Sequence, residues 1–224
     1  MTDLHTHILP EMDDGAASVA QSLAMLRAEQ EQGVDLVVLT PHFYRDQETV
    51  KEFLARRQSA FDRLQEALPE THPELVLGAE VTWYPSIVGE KRLDALCLAG
   101  TDQILLELPY APWPGKMADQ LYQFMNATGL TPILAHVERY LPLQTKSQME
   151  ELLSMGLTMQ MNAASLLQPF KRRKIASLLR EGQWLLGTDC HNLDTRPPRM
   201  GEAIAYLRKH IPVEQLDALV SWRP

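Results

Sequence analysis

Seven short apolar runs punctuate the chain, at Asp3–His7, Val34–Thr40, Leu75–Val81, Gln103–Leu108, Pro132–Val137, Leu157–Met161 and Trp184–Thr188. Each reads as a strand, and longer stretches of helical period separate them. Ser18–Gln32 is the clearest helix: Ser18 can cap it, Gln21 completes an S-x-x-Q capping box and Gly33 stops it. Val50–Leu68 spaces Phe53, Leu54, Phe61, Leu64 and Leu68 close to one helical face. Met117–Ala127, Ser147–Met155 and Lys171–Glu181 end before Gly129, Gly156 and Gly182, and Ala203–His210 and Glu214–Trp222 read as terminal helices. Strand–helix alternation of this kind predicts a parallel sheet with helical crossovers, either an open sheet or a closed barrel. The glycine-rich signatures of nucleotide-binding sheets, G-x-G-x-x-G and G-x-x-x-x-G-K, are missing, which favours the barrel.

Composition narrows the class. The 224 residues are 45% hydrophobic and 22% charged, as in a soluble globular protein, and a single domain spanning residues 1–224 is expected. A net charge of −8 does not favour nucleic acid or an anionic membrane. The two cysteines, Cys97 and Cys190, are far apart, which argues against a disulfide framework and for a reducing cytoplasm. No run of about 18 apolar residues predicts a membrane span. The first residues carry Asp3, His5 and His7 rather than a basic segment, so no signal peptide is expected.

The chemistry gathers at strand ends. Each candidate strand but Leu157–Met161 ends in a residue able to bind metal: His5 and His7, His42, Glu80, Glu107, His136, then Asp189 and His191. Only His72 and His210, of seven histidines, fall elsewhere. In a barrel these ends share one face, where such folds place their chemistry. His5 and His7 are two apart and so point to one side of a strand; Asp189 and His191 repeat the spacing and should face them across the barrel. A carboxylate buried like Glu107 or Glu80 costs several kcal/mol unless paired or metal-bound. Singly, each residue has an ordinary explanation: a hydrogen-bonded histidine, a Glu–Arg pair, a turn at Asp13-Asp14-Gly15. Jointly, they predict a metal site. Imidazole and carboxylate without thiolate suit Mn²⁺, Fe²⁺ or Zn²⁺ in a catalytic role, and so many ligands imply two or three ions. With Asp14 counted, four carboxylates balance two divalent ions, and a third would leave a positive centre suited to a phosphate dianion.

The segments "DLHTHILPEMDDG", "TPHF", "GAEV", "LLELPY", "ILAHVERY", "MNAASLL" and "TDCHN", in that order, resemble the polymerase-and-histidinol-phosphatase (PHP) superfamily. More closely, they resemble its manganese-dependent protein-tyrosine phosphatases of bacterial capsule and exopolysaccharide biosynthesis. The resemblance implies a distorted (β/α)7 TIM-like barrel, in agreement with the seven strands. It implies metal ligation by His5, His7, Asp14, His42, Glu80, Glu107, His136, Asp189 and His191, and an arginine, Arg139, gripping phosphate beside them. Asp13 is left as a turn residue. Glu11-Met12, Val137 and Cys190 stand where relatives commonly have Pro-Gly, Pro and Ala, and none of these departures removes a ligand.

The implied reaction is hydrolysis of a phosphotyrosyl protein, a capsule-pathway tyrosine kinase, by a metal-bridging hydroxide, with inorganic phosphate as product. His42 or His191 could donate a proton to the leaving group. Two or three divalent ions are implied, Mn²⁺ first, with Fe or Zn as alternatives. The alternatives in function are a histidinol phosphate phosphatase or another small-molecule phosphoesterase, and a non-catalytic metal-binding regulator of polysaccharide export. "CHNLDTR", Cys190–Arg196, fits the C-x₅-R signature of cysteine phosphatases, but it lacks glycine and holds Asp194, so the match is read as chance. "FKRRKI", Phe170–Ile175, could steer an anionic peptide or be a solvated helix face. Tyr110 and Trp113 in "LPYAPWPGKM" could rim the site or pack over the barrel.

Overall fold

The computed structural model describes residues 1–170 and 172–224. In order, the elements are β1 (Thr2–Thr6), α1 (Val19–Glu31), β2 (Leu36–Leu39), β3 (His42–Phe43), α2 (Val50–Gln65), β4 (Glu74–Leu77), β5 (Glu80–Thr82), β6 (Gln103–Glu107), α3 (Met117–Thr128), β7 (Thr131–Leu134), α4 (Lys146–Ser154), β8 (Thr158–Asn162), α5 (Arg172–Leu178), β9 (Gln183–Gly187), α6 (Met200–Leu207) and α7 (Val213–Leu219). Every strand pair is parallel, in the orders β1-β2-β4 and β3-β5-β6-β7-β8-β9.

These nine strands make seven staves. β2 and β3 are one stave interrupted at Thr40-Pro41, where proline offers no N–H, and β4 and β5 are one interrupted at Gly78-Ala79. The ladder carries across both breaks: Gly78 N donates to Leu39 O at 2.9 Å and Glu80 N to Pro41 O at 3.0 Å. The ring closes between the first stave and the last. Thr6 bridges Cys190, Asp189 N donates to His5 O at 2.8 Å, and His7 N donates to Cys190 O at 3.0 Å. The architecture is the seven-stranded parallel barrel that the alternation predicts, with β1 and β9 as neighbours. The Asp189/His191 pair therefore stands beside His5/His7 at a seam and not across the barrel from it.

Alternation along each stave separates two apolar layers. Leu36, Val38, Val76, Leu105, Ile133 and Ala135 fill the interior, whereas Val37, Leu39, Ile104, Leu106 and Leu134 pack outward under the helices. The same parity, continued upward, takes Val38 to His42, Val76 to Glu80, Leu105 to Glu107, and Leu185 to Asp189. The site residues are the top of the interior row. β1 needs a departure from this rule, because Leu4 and His5 both face inward. The β1–β2 register shifts between Asp3 and Thr6, and such an irregularity re-aims one side chain.

Trp222 closes the floor. It is 8% exposed, packs with Leu4, Leu36 and Leu105, and donates from Nε1 to Gln103 Oε1 at 2.6 Å. Its carbonyl accepts from Thr2 Oγ1 at 2.6 Å, which ties the tail to β1. This explains why α7 stops at Leu219, short of the expected Trp222.

Helix ends follow local chemistry. Ser18 Oγ caps α1 through Gln21 N at 3.2 Å, but Gln21 Oε1 accepts from Ala17 N, not from Ser18, so the expected box is only half formed. Full boxes form instead at Thr49/Glu52 and Thr145/Gln148. α6 starts at Met200, earlier than Ala203, and α5 ends at Leu178; Lys171, the expected start of α5, lies outside the described residues. Among the described residues no helix is long and apolar enough to cross a membrane.

Candidate metal centre

The nine residues expected to hold metal converge at the C-terminal ends of the staves. Glu80 sits at the middle, fully buried. Its Oε2 lies 3.1 Å from His5 Nε2, 3.3 Å from His7 Nε2 and 3.0 Å from His42 Nδ1; its Oε1 lies 3.0 Å from His136 Nε2. Asp189 Oδ1 is 3.4 Å from His7 Nε2 and 3.8 Å from His5 Nε2, and Glu107 Oε1 is 3.4 Å from His136 Nε2. At the mouth, exposed Asp14 puts Oδ1 3.2 Å from His191 Nε2 and 3.7 Å from His42 Nε2. Three overlapping groups have metal-site spacing: His5/His7/Glu80, His42/Glu80/Glu107 and His7/Asp14/His42/His191. The groups overlap at His7, His42 and Glu80, and of these the Glu80 carboxylate, with two oxygens, is the side chain able to serve more than one cation.

The donor set fits divalent ions. Glu80 Oε2, His42 Nδ1 and His191 Nε2 are buried without a hydrogen bond, although each has another site atom nearby. Buried polar atoms left this way cost about 1–3 kcal/mol each, which coordination would remove. Two of the expected ligands sit on left-handed backbone, His136 at φ +33° and Asp189 at φ +53°. That conformation costs a non-glycine residue roughly 1–2 kcal/mol. His136, like His5, breaks the interior parity, since Ala135 already faces inward; the turn brings its ring round to Glu80.

The electrostatics draw in positive charge. Burial pushes the His7 imidazole down, but hydrogen bonds to Asp13, Asp189 and Glu80 outweigh it and hold His7 well above its usual range. Burial likewise opposes charge on His136, yet hydrogen bonds to Glu107 and Glu80 bring it up to about 9. His191, by contrast, is pushed down to about 4 by burial and by the neighbouring His7. Cation binding would displace the protons on His7 and His136.

A surrounding shell fixes ring orientation, and most of it was not foreseen in the sequence. Asp13, expected as a turn residue, accepts from His7 Nδ1 at 2.8 Å and from His42 N at 2.9 Å through Oδ2, and from Gly15 N at 2.9 Å through Oδ1. Burial raises its carboxyl, but these bonds, His7 first, hold it well below the carboxylate range. A Cβ on Gly15 would lie 2.1 Å from His7 O, so glycine is required there. Gln160 Oε1 accepts from His136 N at 2.6 Å and lies 3.1 Å from His5 Nδ1. Its Nε2 donates to Asn162 Oδ1 at 2.9 Å, and Asn162 Nδ2 donates to Asp189 Oδ2 at 2.8 Å. β8, the stave without a ligand, thus supplies this polar chain. An amide at Asp13 would set an NH₂ group against one of three N–H donors. Asp13→Asn is therefore expected to weaken metal affinity or activity by about 10–100-fold, as for other partners of metal-bound histidine; metal titration together with kcat/KM checks it.

The remaining candidates separate. Arg139 lays its guanidinium 5.4 Å over the Tyr110 ring and lines a cavity of about 530 Å³ that also contains Asp189, Arg196 and Arg199. Glu138 turns away from Arg139, accepting from Ser165 Oγ at 2.7 Å. Arg196 Nη2 donates to Asp189 Oδ1 at 2.7 Å, so the arginine of the C-x₅-R match does reach the site, through a carboxylate. Cys190 faces the other way: it is buried 3.7 Å from Glu29 Oε1, and burial with the charge of Glu29 pushes the thiol well up, as a nucleophile could not tolerate. Trp113 packs, 6% exposed against Tyr140, whereas Tyr110 stands open to solvent.

Fold and site together define a parallel β/α barrel that gathers histidines and carboxylates at one end. A mutant of the organophosphorus hydrolase of Deinococcus radiodurans has this architecture, with a TM-score of 0.57 at 15% identity over 98% of this chain and 90% of that one, a likeness of fold alone. The chain belongs to the CpsB/CapC family of capsular polysaccharide synthesis, which it matches over residues 1–224. It is 33% identical to the tyrosine-protein phosphatase YwqE of Bacillus subtilis (strain 168) over 217 residues, 93% of this chain and 84% of that protein. It is 31% identical to the tyrosine-protein phosphatase CpsB of Streptococcus pneumoniae, over 93% of this chain and 90% of that protein. A chain from the crystal structures of YwqE and CpsB from those two organisms, described as unique metal-dependent tyrosine phosphatases, superposes with a TM-score of 0.80 at 26% identity, covering 99% of this chain and 92% of that one.

Proposed function

We propose that this protein is a metal-dependent protein-tyrosine phosphatase of capsule or exopolysaccharide biosynthesis. The observation that supports the reading is that His5, His7, Asp14, His42, Glu80, Glu107 and His191 fall into metal-spaced groups, with His136 and Asp189 in contact with them, beside a cavity lined by three arginines. Divalent ions held there, Mn²⁺ first, supply an activated nucleophile and screen the phosphoryl charge. The chain's own residues do the rest. Asp13 keeps the proton on His7 Nδ1, leaving Nε2 free for metal. Gln160 orients His5 and His136. Arg196 holds Asp189, and Arg139 presents a planar, two-pronged donor to phosphate oxygens from the cavity wall. A tyrosine phenolate, whose acid has a pKa of about 10, leaves with little acid help, so His42 and His191 serve first as ligands, with proton donation a secondary role.

The substrate fitting the family's pathway is a phosphotyrosyl kinase of capsule assembly. Two free, buried cysteines agree with a cytoplasmic location. Dialysis against EDTA is expected to lower turnover of a phosphotyrosyl peptide by about 100-fold or more, with recovery in a series of Mn²⁺, Zn²⁺ and Fe²⁺ greatest for Mn²⁺. Activity surviving EDTA would sink the metal mechanism. Faster hydrolysis of histidinol phosphate than of the peptide would favour the small-molecule alternative. No hydrolysis of para-nitrophenyl phosphate with added Mn²⁺ would favour the non-catalytic regulator.

A further inference from the structure

Next to the arginine-lined cavity lies a second cleft, of about 360 Å³, walled by Tyr110, Arg139, Leu141, Pro142, Lys174 and Ile175. The two share Arg139, Ser165 and Gln168, so one opens along the wall of the other. Their chemistry differs. The first holds Asp189, Asp194, Arg196 and Arg199; the second presents aliphatic carbon from Leu141, Pro142 and Ile175, a tyrosine ring and two cations. The carboxyl of its single acid, Glu138, is turned to Ser165 Oγ and to Asn162 N. The walls come from four segments: the loop after β6, the turns after β7 and β8, and α5, which contributes Lys174 and Ile175. Phe170, wholly exposed two residues before α5, adds apolar surface to that segment. A site mostly apolar with a few fixed charges, of this size, suits one side chain of a larger ligand.

Building on the phosphatase reading, we propose that this cleft is a substrate subsite. It receives an apolar side chain flanking the phosphotyrosine, in a peptide whose neighbouring residues are acidic. Continuity with the arginine-lined cavity, which reaches Asp189 of the candidate centre, puts the occupant on the same ligand as the phosphoryl group. Charge complementarity sets the acidic preference: Arg139 and Lys174 line the cleft, and the bound peptide is an anion. The specificity of the enzyme is thereby divided, with phosphate read at the metal centre and sequence context read by α5 and the turn after β7.

The test compares free phosphotyrosine with two phosphotyrosyl peptides, one flanked by leucine within an acidic stretch and one flanked by glycine and serine. The unaltered protein is expected to prefer the first peptide by about 10-fold or more in kcat/KM, the scale on which an apolar pocket discriminates. Leu141→Glu is expected to erase that preference, chiefly through KM, and to leave free phosphotyrosine unchanged. Lys174→Glu, at an exposed position that leaves folding intact, is expected to raise KM for the acidic peptide at low salt and to lose that effect at high salt. Equal kcat/KM for both peptides, with free phosphotyrosine turned over normally, would overturn the subsite and leave the phosphatase reading standing. A change in sedimentation on Leu141→Glu, with the peptide preference retained, would assign the cleft to a second copy of the chain and equally overturn it. No turnover of free phosphotyrosine by the unaltered protein would overturn both.

Discussion

Glu80→Gln is expected to lower kcat/KM on a phosphotyrosyl peptide by about 10³-fold, equivalent to roughly 4 kcal/mol, and to strip bound metal from a protein that still folds. The change keeps shape and removes charge at the atom pair on which four histidines converge, at 3.0 to 3.3 Å. Glu80 belongs to two of the three metal-spaced groups, so its loss touches more than one ion. A glutamine NH₂ would also point a donor where lone pairs now meet. Metal content after dialysis and far-UV circular dichroism separate loss of the centre from loss of the fold. Retention of metal, with activity within about tenfold of the parent, would show that Glu80 is not the hub of the centre.

The largest effect on stability is expected far from the centre. Trp222→Ala should cost about 3–5 kcal/mol in urea-induced unfolding, as for other large aromatic side chains removed from cores. The indole covers the floor of the barrel among Leu4, Leu36, Val38, Leu105 and Ile133. Its removal also leaves Gln103 Oε1 without its 2.6 Å donor. Turnover of the variant at temperatures where it remains folded should match the parent, because the candidate metal centre sits at the opposite ends of the strands. A loss below about 1 kcal/mol would mean that the tail is a surface strap and not part of the core.

Several of the expected ligands were legible in the sequence because they top interior apolar rows: the same parity that builds the core also aims His42, Glu80, Glu107 and Asp189, whereas His5 and His136 reach the centre by departing from it. The residues that escaped notice obey weaker signals. Asp13 resembles any turn aspartate until Gly15 presses against His7 and forces the loop back over the imidazole. Gln160 and Asn162 alternate with Met159 and Met161 inside a buried strand. That spacing of polar residues could have flagged them, but no ligand-type residue drew attention there. Arg196 lay inside a motif rightly set aside for its cysteine, and its partner Asp189 is fixed only by tertiary structure. Trp222 was absorbed into a helix because an amphipathic period does not reveal a chain turning inward.

The seam between β1 and β9 also dictates an order of assembly. Asp3 and Thr188, 185 positions apart, are joined by hydrogen bonds at 2.5 and 2.9 Å, directly beneath the first and last ligands. On a ribosome, His5 and His7 emerge almost at once and must wait for Asp189 and His191 before their site exists. Completion of the centre is thus tied to the final act of folding: a chain cut short just before β9 can still gather His5, His7 and Glu80, but it lacks Asp189 and His191 and so cannot form the group at the mouth.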